Sequence, residues 1–73
     1  MTLNEFVDCF AAELDETPKE LFNAETVYRD LDEWDSLAVL SIISMIDEEF
    51  EKTVTGADLR EYSTIKELYN FIQ

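Results

Sequence analysis

The spacing of apolar residues between Leu37 and Glu51 constrains this chain more than any other feature. In SLAVLSIISMIDEEFE, wound at a helical period, Val39, Leu40, Ile42, Ile43, Ile46 and Phe50 form one broad stripe, and Ser41, Ser44, Glu48 and Glu51 follow a 3-4-3 spacing on the other side. The same period governs the N-terminus. In TLNEFVDCFAAEL the residues Leu3, Phe6, Val7, Phe10 and Leu14 fall at i, i+3, i+4, i+7 and i+11, with Thr2 and Glu5 as a capping box, which predicts a helix over 3–14. Downstream, Thr55 to Asp58 cap a short helix, ADLREY, and Ser63 or Thr64 starts a last one carrying Ile65, Leu68, Tyr69 and Ile72 on one face. Lys52 to Val54 is the one brief candidate for a strand. With one glycine, one proline, no repeat and no shift in composition, residues 1–73 read as one all-α domain of three main helices plus a short one.

Between the first two long helices the period lapses. In DETPKELFNAETVYRDLDEW, Thr17, Pro18 and Glu20 read as cap, first helical position and box partner of a short turn. The remainder reads as a long loop pinned to the core by Leu21, Phe22, Val27 and Leu31. A loop of this length in so small a domain is usually functional. It delivers the chain to Asp35-Ser36-Leu37.

Charge and residue types narrow the functions. Eighteen carboxylates against five Lys and Arg give a net charge of −13, which repels nucleic acid and anionic membrane and favours basic protein partners. The 47% hydrophobic content is nevertheless that of a folding chain. There is no histidine, so Cys9 has no partner for a Cys-His nucleophile, and a single cysteine closes no internal disulfide or zinc site. DLDEWDS matches a calcium loop at two ligand positions only; Asp35 stands where the turn glycine belongs and Ser41 where the bidentate glutamate belongs. No leader or membrane-spanning run is visible, and a free-standing, monomeric, cytoplasmic protein is expected.

Two features stand out against that background. Asp47, Glu48, Glu49 and Glu51 crowd the end of the second long helix, where the macrodipole disfavours negative charge, so they read either as a solvated face or as a docking surface for basic partners. Ser36 opens the most apolar helix. Asp35 or Ser36 can serve there as a plain cap, yet a helix N-terminus also stabilises a phosphate carried on its first residue.

Taken together, the acidic helical chain, the long loop leading into Asp35-Ser36-Leu37, the apolar helix ending EEFE and the closing STIKELYNFI resemble the acyl carrier protein family over nearly the whole chain. That resemblance implies a non-catalytic four-helix carrier. A separate magnesium-dependent phosphopantetheinyl transferase would place 4′-phosphopantetheine, taken from coenzyme A, on Ser36, with Asp35 and Leu37 flanking it. The cofactor thiol would then carry acyl groups as thioesters between acyl-activating and acyl-transferring enzymes that have basic docking patches.

The resemblance also places the docking surface around Ser36: Asp30, Asp32, Glu33, Trp34, Leu37, Leu40, Ser41, Ser44, Asp47 and Glu48, although Trp34 reads more readily as an anchor under the loop. Phe6, Val39, Ile43, Ile46, Phe50, Leu59, Ile65 and Leu68 are the candidate interior, as core first and as cargo shelter second.

This chain departs from the family at two places. Glu33 and Trp34 stand where the family often has glycine, as in carriers of dedicated polyketide, peptide or D-alanyl pathways. Ala38, Ser41 and Ser44 stand on the expected outer face, where fatty-acid carriers often have acids. Fatty-acyl or polyketide cargo leads, and aminoacyl or peptidyl cargo is the alternative. A different class also fits the charge: an unmodified acidic adaptor that binds basic proteins, with Ser36 only starting a helix.

Overall fold

The computed structural model describes residues 2–73. Four helices run in the order α1 (Leu3–Glu13), α2 (Ser36–Phe50), α3 (Gly56–Glu61) and α4 (Ile65–Ile72), with single 3₁₀ turns at Lys19–Leu21 and Tyr28–Asp30 in the long connection after α1. Three helices start on a threonine whose hydroxyl accepts the N–H three residues on, reciprocated by an acid: Thr2 with Glu5, Thr55 with Asp58 and Thr64 with Glu67. The exception is α2, capped by Asp35. It stops at Phe50, one residue short of the predicted end, because Glu51 turns left-handed at φ 56° and breaks the helical repeat.

α1 packs against α2 and α4, and α2 also packs against α3. Phe6 and Phe10 of α1, Ile42 and Ile46 of α2, Leu59 of α3, and Ile65 and Leu68 of α4 are fully buried. Aromatic rings fill the centre. Phe10 lies nearly parallel to Trp34 at 6.1 Å, Tyr28 meets Trp34 at 5.0 Å, and Phe50 meets Phe6 edge-on at 5.1 Å. Of the candidate interior, Phe6, Ile46, Leu59, Ile65 and Leu68 are buried, and Val39, Ile43 and Phe50 are half-buried against them.

Several expectations need correction. Leu40 does not belong to the buried stripe: it is 60% exposed, and Ala38, assigned to the outer face, is 5% exposed. Because α2 is held between α1 and α3, its buried arc centres on Ala38, Ile42, Met45 and Ile46. Leu40 lies about 200° of helical rotation from both Ala38 and Ile42.

In the long connection, Leu21 and Val27 are exposed; the pins are Phe22 and Tyr28, with Leu31 half-buried beside them. Thr17 caps nothing, since Pro18 takes the position before the turn and the Thr17 hydroxyl is drawn instead to Glu33. Lys52 to Val54 forms no strand among the described residues; Val54 is simply buried, and the one isolated bridge joins Val27 to Thr64.

The connection is stitched to the C-terminal half by polar contacts. The Ala24 and Thr26 carbonyls accept the Lys66 and Ile65 N–H groups at 2.9 and 3.2 Å. Tyr28, fully buried, donates its hydroxyl to the carbonyls of Leu59 and Tyr62 at 2.6 and 2.8 Å, and the Arg29 guanidinium donates to Arg60 O and Ser63 Oγ. A loop this long holds one shape because its polar groups find partners inside the domain.

Candidate functional site

Ser36 is the first residue of α2, and Asp35 rather than Ser36 is its cap. The Asp35 Oδ1 accepts the Ala38 N–H at 2.8 Å, and the Asp35 carbonyl accepts that of Val39 at 3.0 Å. Asp35 thereby removes the capping duty from the serine. Ser36 is exposed, and among the described residues its hydroxyl makes no hydrogen bond, nor do the N–H groups of Ser36 and Leu37. These are two of the unsatisfied donors that every helix start carries, here facing solvent beside a free alcohol.

Two residues behind the serine, Trp34 turns inward onto Phe10 and Tyr28. Glu33 turns toward the end of α1: its Oε1 accepts the Thr17 hydroxyl at 2.6 Å, and its Oε2 accepts the Glu16 N–H at 3.4 Å. Asp30 and Asp32 stay exposed on the approach to the helix. Beyond Ser36 the outer face of α2 runs from apolar to acidic: Leu37 and Leu40 are 73% and 60% exposed, Ser41 is half-buried, and Ser44, Asp47 and Glu48 are exposed. A cleft of about 180 Å³ opens between α1 and α2, with Leu14, Leu37, Ala38 and Ser41 on its walls. The structure leaves Asp30, Asp32, Leu37, Leu40, Ser44, Asp47 and Glu48 exposed and Ser41 half-buried, and directs Glu33 and Trp34 to internal contacts.

Two nearby signals escaped the sequence. By spacing Thr17 is a cap and Tyr28 stands unmarked among polar neighbours; only the fold shows that one holds Glu33 and the other lies beneath Trp34. A sharper reading of Tyr28 was available, because a lone aromatic in a stretch without period often serves as a core pin with a polar tip.

The chemistry open to such a site is that of an acceptor. No side chain within hydrogen-bond reach activates the Ser36 hydroxyl among the described residues, and no cluster of metal-ligating side chains is present among them. Burial, with the charges of Glu49, Asp8, Glu5 and Glu13, pushes the Cys9 thiol above its ordinary range and so disfavours the thiolate. No helix among the described residues is long and apolar enough to cross a membrane.

Comparison with known proteins agrees with the geometry. The sequence matches the family model described as "PP-binding: Phosphopantetheine attachment site" over residues 4–72. Neither the curated proteins nor the solved structures gave a match.

Proposed function

The chain belongs to the phosphopantetheine attachment family, and from that premise we propose that it is a non-catalytic carrier whose 4′-phosphopantetheine is attached at Ser36. The observation that carries the assignment is the pairing of an exposed, unbonded hydroxyl with two free helix N–H groups on Ser36 and Leu37. The residues fit the group: a phosphodiester on the Ser36 oxygen lies at the positive end of the α2 dipole, where an anion is favoured. The Asp35 carboxylate, already engaged by the Ala38 N–H, leaves those two donors open.

In the attachment step the Ser36 Oγ forms the bond to phosphorus, and its proton passes to a base of the transferase. The phosphoanhydride of coenzyme A breaks, and adenosine 3′,5′-bisphosphate leaves with the bonding electrons. When bound, the cofactor supplies a thiol that holds acyl groups as thioesters for partner enzymes. The chain contributes a fixed attachment point and the surface that those enzymes grip.

That surface is Leu37 and Leu40 with Ser41 and Ser44, bordered by Asp30 and Asp32 on one side and Asp47 and Glu48 on the other. Exposed leucines give apolar contact area, and the flanking acids steer basic patches of the transferase and of acyl-activating and acyl-transferring enzymes. The cargo proposed is fatty-acyl or polyketide in type, handled by a single-domain monomer in the cytoplasm.

Intact mass after incubation with coenzyme A, magnesium and a broad-specificity phosphopantetheinyl transferase tests the assignment, with Ser36→Ala as control. A gain of one phosphopantetheine by the parent alone is expected. No gain with several transferases, alongside salt-sensitive binding of basic proteins that Ser36→Ala leaves intact, marks an unmodified acidic adaptor instead.

A further inference from the structure

Ser36 is approached through residues 31–35, a segment with few fixed points. The Trp34 N–H closes a local turn on the Leu31 carbonyl at 3.0 Å, which shapes the segment without tying it to the domain. Trp34 supplies depth by lying on Phe10 and Tyr28, but ring contact permits sliding and tilting. The directional tie is Glu33. Its carboxylate accepts a 2.6 Å hydrogen bond from the Thr17 hydroxyl and a longer one from the Glu16 N–H, groups 16 and 17 residues away in the turn that follows α1. A short bond from a hydroxyl to a carboxylate is among the stronger side-chain bonds, and this one is partly shielded from water.

We propose that Glu33 is a positioning residue for modification of Ser36: through Thr17 it latches the loop ahead of α2 to the turn that follows α1 and fixes the presentation of the serine. This deepens the carrier reading and rests on it. Both Glu33 oxygens have partners within the chain, and through them the residue acts on the loop. The latch also accounts for a glutamate three positions before the serine. A flexible residue there leaves the segment held by the apolar contacts of Leu31 and Trp34, whereas Glu33 adds a directional attachment.

The test compares Glu33→Ala, Thr17→Val, their double variant and Glu33→Gln, all verified as folded by thermal melting. Attachment rates are measured by intact mass with one transferase across coenzyme A and protein concentrations. Amide exchange of residues 34–37 is followed in the unmodified proteins. Glu33→Ala and Thr17→Val are each expected to lower kcat about five- to tenfold, the size of one ordinary hydrogen bond, with KM for the carrier little changed. The double variant falls no further, and Glu33→Gln, which keeps the acceptor for Thr17, stays near the parent. Exchange at residues 34–37 quickens in Glu33→Ala and Thr17→Val.

Equal rates in all variants overturn the latch, as does a Thr17→Val protein at the parent rate beside slow Glu33→Ala and Glu33→Gln, which marks a direct charge contact. A parent that takes up no phosphopantetheine overturns the carrier reading, and amide exchange still decides whether the latch exists.

Discussion

The starts of α2 and α4 contain the same unsatisfied donors by construction, yet the fold treats them in opposite ways. At α4 every early N–H is taken: Ile65 donates to Thr26 O, Lys66 to Ala24 O, Glu67 to the Thr64 hydroxyl and Leu68 to Thr64 O. At α2 only Ala38 and Val39 are satisfied, both by Asp35, and Ser36 and Leu37 keep theirs free among the described residues. Ile65 is buried, where an orphaned N–H costs about 1–3 kcal/mol, whereas Ser36 faces water and leaves its donor free at little cost. A closed helix start supports the domain, and an open one is available to an incoming anion.

The largest loss of stability is expected from Tyr28→Phe, which removes the hydroxyl that ties the connection to Leu59 O and Tyr62 O, just ahead of the closed start of α4. Loss of about 1–3 kcal/mol is expected in urea unfolding, because two carbonyls lose a buried donor. The same tyrosine gives a pH signature. Burial pushes its phenol up from 10.0 to about 12, so the folded state holds the proton more tightly than the unfolded chain. Its stabilisation is full below pH 10 and is lost as pH rises toward 12. Urea midpoints across that window should fall, and the fall should flatten in Tyr28→Phe; an unchanged slope contradicts the assignment.

A smaller effect separates the two caps directly. Thr64→Ala removes the α4 capping hydroxyl and should cost about 1 kcal/mol. Ser36→Ala should leave the thermal midpoint at or slightly above the parent value, since the serine side chain bonds nothing among the described residues and alanine is the better helix former. Equal destabilisation by both would show that Ser36 has a structural partner. The least effect on stability belongs to Leu40→Ser, expected within about 0.5 kcal/mol because the side chain is largely in solvent. Binding of the transferase, measured by calorimetry, should weaken in that variant; unaltered binding would move the docking face away from α2.

Much of the fold was legible in advance. The capping boxes at Thr2-Glu5, Thr55-Asp58 and Thr64-Glu67 are local, spanning three residues, and so they survive any tertiary arrangement. The face of α2 was harder to read. Its apolar residues cover more than half the helical circumference, so period alone did not say that Ala38 is buried and Leu40 exposed. The placement of α1 and α3 decided that. The long connection was least legible, because its contacts join residues 16 to 34 positions apart.

By itself the sequence determined an acidic all-helical chain, where each helix starts to within a residue or two, and Ser36 as the residue opening α2, since period, caps and charge are written within a turn or two of chain. Only the tertiary structure decided that Asp35 serves as the cap and leaves the Ser36 hydroxyl without a partner among the described residues, that the start of α4 is closed by Ala24 and Thr26, and that Glu33 reaches Thr17. Those outcomes depend on which groups compete for each donor once distant segments meet, and hydrogen bonds between segments are set by packing rather than by local spacing.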